Sequence, residues 1–149
     1  MWVKWGATGD GNYENPTNLD DAFDKVSPYG NIHFFEGTLP YTTFAREECN
    51  KPGLTFMGNN TVITNFAIHA SEYATGLTLY NIIFKDYKKG SVILWDADDG
   101  YIINCTFKDN GGSDVIKGAA IQISGNNLNI INSMMMLCIL DIYQHYLIM

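Results

Sequence analysis

The sequence predicts an all-β chain wound as a parallel β-solenoid, and two observations carry that prediction. One is an internal repeat. Gly53-Leu54-Thr55-Phe56-Met57-Gly58 returns 23 residues later as Gly76-Leu77-Thr78-Leu79-Tyr80-Asn81. Asn81-Ile82-Ile83-Phe84-Lys85-Asp86 returns after another 23 as Asn104-Cys105-Thr106-Phe107-Lys108-Asp109. Leu128-Asn129-Ile130-Ile131-Asn132-Ser133 restates residues 100–105 at an offset of 28, as Gly118-Ala119-Ala120-Ile121 restates Gly90-Ser91-Val92-Ile93, so that coil carries a five-residue insertion. The other observation is the texture inside each copy, short apolar, β-branched or aromatic runs ended by Gly, Asn or Asp. Such runs are strands joined by turns, and a strand unit that cannot bury its own face is stabilised by stacking on the next.

Ahead of the repeats the spacing predicts one helix within residues 17–27. Leu19, Ala22, Phe23 and Val26 fall on one helical face after Pro16 and a Thr17/Asn18 cap, Asp20 and Asp21 occupy the first turn, and Ser27-Pro28 stops the helix. A solenoid's first coil exposes an open core and unpaired strand edges, and a short amphipathic helix is the expected cover. Asn31 to Glu36 then enters the first coil, and Gly30, 23 residues before Gly53, sets four coils between about residues 30 and 133. Stacked coils place Asn81, Asn104 and Asn132 over one another as a turn ladder, with Phe84 on Phe107 inside. The domain is therefore expected to run over residues 1–133. The apolar tail, residues 134–149, lacks the Gly and Asn of the preceding coils and is read as a truncated or out-of-family terminus.

Composition narrows the function classes. The chain has 149 residues, 46% apolar and 17% charged, enough apolar surface for one real core. A net charge of −7 argues against a nucleic-acid partner, because such binding draws its affinity from Lys and Arg neutralising phosphates. Cys49, Cys105 and Cys138 form neither a disulfide framework nor a zinc pattern. No signal segment opens the chain, and the tail, broken by Asp141, Gln144 and His145, is too short in apolar residues to span a membrane.

Several strings together resemble a known family. Gly9-Asp10-Gly11, Glu14-Asn15-Pro16, the helix, Ile32-His33-Phe34-Phe35-Glu36-Gly37-Thr38 and Leu54-Thr55-Phe56-Met57-Gly58-Asn59 resemble the opening of right-handed parallel β-helix proteins of the pectate-lyase-like superfamily. Asn104-Cys105-Thr106-Phe107-Lys108-Asp109-Asn110, followed by Gly118 to Ile121, is similar to coils of the adhesin-like surface proteins of methanogenic archaea and gut bacteria. The resemblance spans about residues 5–133. It implies a right-handed β-helix with an N-terminal cap helix, a cell-surface or secreted setting, and display and binding of glycans or a host or cell surface.

Fold does not decide chemistry, so candidate sites are weighed one by one. Asp96, Asp98 and Asp99, expected near Asp86 and Asp109, form the best acidic cluster. Stacked carboxylates about 5 Å apart would recruit a hard cation such as Ca²⁺. The competing reading, preferred here, makes them turn residues offset by Lys85 and Lys108. An alternative function, a calcium-dependent polysaccharide lyase or glycoside hydrolase, would use this face. Against it, the only arginine is Arg46, and the Gly-His-Gly and Arg-Ile-Lys strings that the resemblance implies for polygalacturonase-like hydrolases do not occur. His33 and His69 read as outward strand residues, no two histidines sharing a register. Tyr73, Tyr80, Tyr87 and Tyr101 are candidate stacking surfaces for sugar rings, while Trp95 is expected in the core with Leu94 and Gln122 facing out. Asn59 is the more accessible of two glycosylation patterns, Asn104 being held in its ladder. Exposed coil edges predict self-association.

Overall fold

The structure is a computed structural model and describes residues 1–111, 119–136 and 139–142. Gly118, Cys138 and His145 lie outside the described residues. In chain order the elements are β1 (Trp2–Val3), helix α1 (Leu19–Lys25), β2 (Asn31–Phe34), β3 (Gly37–Cys49), β4 (Thr55–Ala70) and β5 (Thr78–Lys85). There follow β6 (Ile93–Trp95), β7 (Gly100–Ile103), β8 (Thr106–Lys108), β9 (Ala119–Ile123), β10 (Leu128–Ile131), β11 (Met134–Met136) and β12 (Ile139–Ile142). Every strand pairing is parallel, and the chain forms a β-solenoid of about four turns.

Three sheet faces run along the solenoid. The first stacks β1, β2, the starts of β4 and β5, β7 and β10. The second stacks the start of β3, the middle of β4, the end of β5, β8 and β11. The third stacks the ends of β3 and β4, then β6, β9 and β12. The long strands β3, β4 and β5 bend across corners and so contribute to more than one face.

The repeat offsets become strand register. Thr55, Thr78 and Tyr101 are partners at steps of 23, and Ile93 with Ile121, like Gly100 with Leu128, at 28. The first step is 24 rather than 23, since Asn31 pairs with Thr55. Tyr29 and Gly53 therefore occupy the equivalent corner (φ 60° and 65°), and the Tyr29 amide donates to the Pro52 carbonyl at 2.8 Å. On the second face the β4 to β5 step shrinks to 21, because β4 carries extra residues between Met57 and Thr61.

Inward side chains form columns through the core. Ile32, Phe56, Leu79, Ile102 and Ile130 make one; Leu39, Ile63, Phe84 and Phe107 make another. The Phe84 and Phe107 rings stack with centroids 5.3 Å apart and planes 9° from parallel. On the third face Cys49 and Ala70 leave the room that Trp95 fills one rung on, followed by Ile123. Gly100 sits directly beneath the Trp95 ring, where a Cβ would collide with it. Leu94 and Gln122 are only half-buried and face outward, as the alternation requires.

The helix is shorter than its predicted span and is held at both ends. Asn18 caps it by accepting the Asp21 amide at 2.8 Å, and Leu19, Ala22 and Phe23 are buried. Phe23 meets Phe56 edge-on at 5.3 Å, which seats the helix over the open end of the core. At the other end the Lys51 ammonium donates to the carbonyls of Phe23, Asp24 and Val26 at 2.6, 2.9 and 2.9 Å. A cation there satisfies carbonyls that a helix C-terminus leaves without intrahelical partners.

Two terminal segments differ from expectation. Trp2–Val3 adds a rung below β2, with Trp2 opposite His33 and Val3 opposite Phe34, so the solenoid begins before the helix. At the other end the stack continues past residue 133, for Met134 pairs with Thr106 and Ile142 with Ile123. Rung pairing needs only an extended backbone, which Met134–Met136 and Ile139–Ile142 supply. Among the described residues no helix is long and apolar enough to cross a membrane.

Phe84→Ala is expected to lower the unfolding free energy by about 3–5 kcal/mol, whereas Tyr80→Ala, on the exposed side of the same strand, should stay within about 0.5 kcal/mol. Denaturant titration of both variants checks this. Lys51→Met should cost about 1.5–3 kcal/mol, the worth of hydrogen bonds to a charged group, with amide exchange rising first in α1.

Candidate binding face

Many corners of the solenoid are turned by a residue with left-handed backbone. Among the described residues ten non-glycine residues have positive φ, and nine of them are Asn or Asp, the side chains that tolerate that region best. Between the first and second faces the turn residues are Asn81, Asn104 and Asn132 (φ 56°, 53° and 49°). The Asn104 amide donates to Asn81 Oδ1 at 3.0 Å and Asn81 donates to the Gly58 carbonyl at 3.2 Å, so two members of the expected ladder are joined. Asn132 shares their backbone conformation. Asn104→Ala should therefore cost about 1–2 kcal/mol more than Asn104→Gly, since only alanine meets the left-handed penalty; paired denaturation curves test it.

The five aspartates do not form one cluster. Asp86 and Asp109 turn the corner between the second and third faces, with Asn65 (φ 62°, 55° and 56°). The Asp86 carboxylate lies 3.4 Å from Lys85, and the Lys88 ammonium donates to the Asp109 carbonyl. Asp96, Asp98 and Asp99 stand at the corner between the third and first faces. Asp98 Oδ1 accepts the backbone and side-chain N–H of Asn126, each at 2.9 Å, and Asp99 accepts from Asn127 at 3.0 Å. These carboxylates tie one coil to the next. Among the described residues no group of three His, Cys, Asp or Glu side chains is placed to hold a metal ion.

Asp96 belongs to a row that inspection of the sequence missed. On the outer surface of the third face, His69 Nε2 lies 2.8 Å from Asp96 Oδ2 and Nδ1 lies 3.9 Å from Glu48. The Ser124 hydroxyl bonds the other Asp96 oxygen. Glu48 is the rung partner of His69, while Asp96 is reached diagonally, two residues past the partner Leu94. Only the register reveals this neighbourhood. The hydroxyl meets the carboxylate and not the imidazole, so the row lacks the nucleophile-to-base contact of a serine hydrolase.

Other polar candidates are structurally committed. Arg46 donates to the Ser91 carbonyl at 2.9 Å and lies 5.9 Å over the Tyr87 ring. The His33 ring stacks on Trp2 at 4.8 Å, and burial holds its imidazole below the usual range. Cys49 and Cys105 are buried free thiols, each pushed up to about 11 by that burial. In the Asn59 pattern the Thr61 hydroxyl is buried, donating to the Phe35 carbonyl and accepting the Asn59 amide.

The four tyrosines separate. Tyr80 and Tyr101, 41% and 44% exposed, stand on adjacent rungs of the first face, since Tyr80 pairs with Ile103 and Tyr101 with Thr78. Tyr73 is 66% exposed but lies in the turn between the third and first faces, away from that surface. Tyr87 corrects the expectation of a projecting ring, being only 4% exposed. The left-handed turn at Asp86 and the bond from the Tyr87 amide to Asn110 Oδ1 direct its ring inward, against the edge of Phe44 at 5.8 Å.

Around Tyr80 and Tyr101 the first face presents two outward columns. Trp2, His33, Met57, Tyr80 and Ile103 form an aromatic and aliphatic one. Asn31, Thr55, Thr78, Tyr101 and Asn129 form a largely polar one beside it. Exposed aromatic rings thus stand next to hydroxyl and amide groups on one sheet face. In comparisons with known proteins, no family model, curated protein or solved structure matches this chain.

Proposed function

We propose that the chain is a non-catalytic β-solenoid segment that displays a glycan-binding face, in a cell-surface or secreted setting like that of the adhesin-like β-helix proteins it resembles. The observation that carries the reading is the placement of Tyr80 and Tyr101 on adjacent rungs of one face, Tyr101 within a column of threonines and asparagines and Tyr80 in the column beside it. Backbone hydrogen bonds between rungs fix the two rings one rung apart and two residues offset along it, in neighbouring columns, so their diagonal arrangement is set by the sheet register. Little conformational entropy is then lost on binding, which favours weak but selective contacts repeated along a polymer. The acidic side chains support this reading by their commitments. Asp98 and Asp99 are bonded to the next coil, and Asp96 is shared between His69 and Ser124.

The test is retention on immobilised oligosaccharides, wild type against Tyr80→Ala/Tyr101→Ala. A loss of at least about tenfold, 1.4 kcal/mol, in the double variant with unchanged thermal unfolding is expected. Retention equal to wild type would overturn the tyrosine face. Appearance of reducing ends or unsaturated products from polyuronate, abolished by Asp98→Asn, would replace the reading with a lyase or hydrolase.

A further inference from the structure

A second site lies at the N-terminal end of the solenoid, remote in character from the flat tyrosine face. The segment between β1 and α1 lines an open surface cleft of about 360 Å³ whose walls include Lys4, Trp5, Gly6 and Asn15. That volume falls within the range of small-ligand pockets, roughly 300–1,000 Å³. Trp5 is 45% exposed, large for an indole with no core to fill. Its ring is nonetheless held in place. It packs edge-on against Tyr41, with centroids 4.9 Å apart, and Tyr41 donates its hydroxyl to Asp20 of α1 at 3.1 Å.

Two polar side chains of the cleft have no polar partner among the described residues. The Lys4 ammonium makes no hydrogen bond or ion pair among the described residues, and it is the only charged side chain lining the cleft. The Asn15 side chain packs over Gly9 with its amide free of partners among the described residues. Gly6, with φ 71°, has open space where a Cβ would stand, so the cleft wall is clear there.

The geometry points to a binding site for a single pyranose sugar bearing a carboxylate, with Trp5 as its stacking plane and Lys4 as its counter-ion. An indole face matches the CH face of a pyranose ring, and an ammonium pairs a carboxylate through charge-assisted hydrogen bonds. Asn15 offers both a donor and an acceptor to ring hydroxyls. The chain's net charge of −7 opposes an anionic ligand, and charges beyond about 8 Å are screened at physiological salt, whereas Lys4 lines the cleft itself. The nearby ammonium then decides. The site shares no residue with the Tyr80/Tyr101 face and does not rest on it.

The test compares methyl glucuronide with methyl glucoside, which differ only in the carboxylate, by calorimetry and tryptophan fluorescence on the full chain. Glucuronide is expected to bind at least tenfold tighter. Lys4→Met should erase that difference, and Trp5→Ala should weaken both sugars. Gly6→Asn, which keeps a residue tolerant of left-handed backbone, should obstruct the cleft without altering thermal unfolding. Tyr80→Ala/Tyr101→Ala should leave all of these affinities unchanged, so this site and the tyrosine face succeed or fail separately. Equal affinity for the two glycosides, absence of saturable binding, or glucuronide binding indifferent to Lys4→Met and Gly6→Asn would each overturn the assignment.

Discussion

Parallel in-register stacking is the constraint on which everything else in this molecule depends. No single coil has a second layer to cover its apolar side chains, so each is buried by the coil above and the coil below. Stacking succeeds only if every coil turns its corners at the same place. At many corners that demand falls on a left-handed residue, and among the described residues nine of the ten non-glycine cases are Asn or Asp. The same residues then bond across the rungs, as Asn104 does to Asn81 and Asn127 to Asp99. Corner conformation and rung cohesion are thus one device.

The ends of a solenoid are its weak points, because the first coil has neighbours on one side only. Here the N-terminal end is closed by three linked features. Trp2–Val3 supplies an extra rung, α1 lays Phe23 on Phe56, and Lys51 reaches from the second coil to bind three carbonyls at the helix C-terminus. The helix is too short to be stable on its own propensity, and its docking supplies what its length does not. The aromatic contacts of Trp5 with Tyr41, and of Tyr41 with Asp20, extend this closure outward.

Burial and bonding sort the polar side chains into structural and available groups. Asp98 and Asp99 are consumed by the fold, each accepting from an asparagine one coil away, and Asp86 lies beside its neighbour Lys85. What remains open is a rigid aromatic and polar sheet surface and the cleft beside Trp5. The first lies on stacked strands and the second in the turn segment between β1 and α1.

Much of this was legible in the residue order. The offsets of 23 and 28, the cap helix with its Asn18 cap, the Phe84 and Phe107 stack and the inward Trp95 follow from periodicities of the chain itself, because rung pairing converts a repeat length directly into register. Lateral neighbourhood was not legible. Glu48, His69, Asp96 and Ser124 lie on separate coils, Lys51 meets carbonyls far upstream, and Tyr87 turns inward, since each depends on how many residues a given corner absorbs. The sequence by itself determined which residues repeat and hence which faces stack. Only the tertiary structure decided which side chains meet across a corner, because a slip of one residue there reverses the side of the sheet on which a side chain stands.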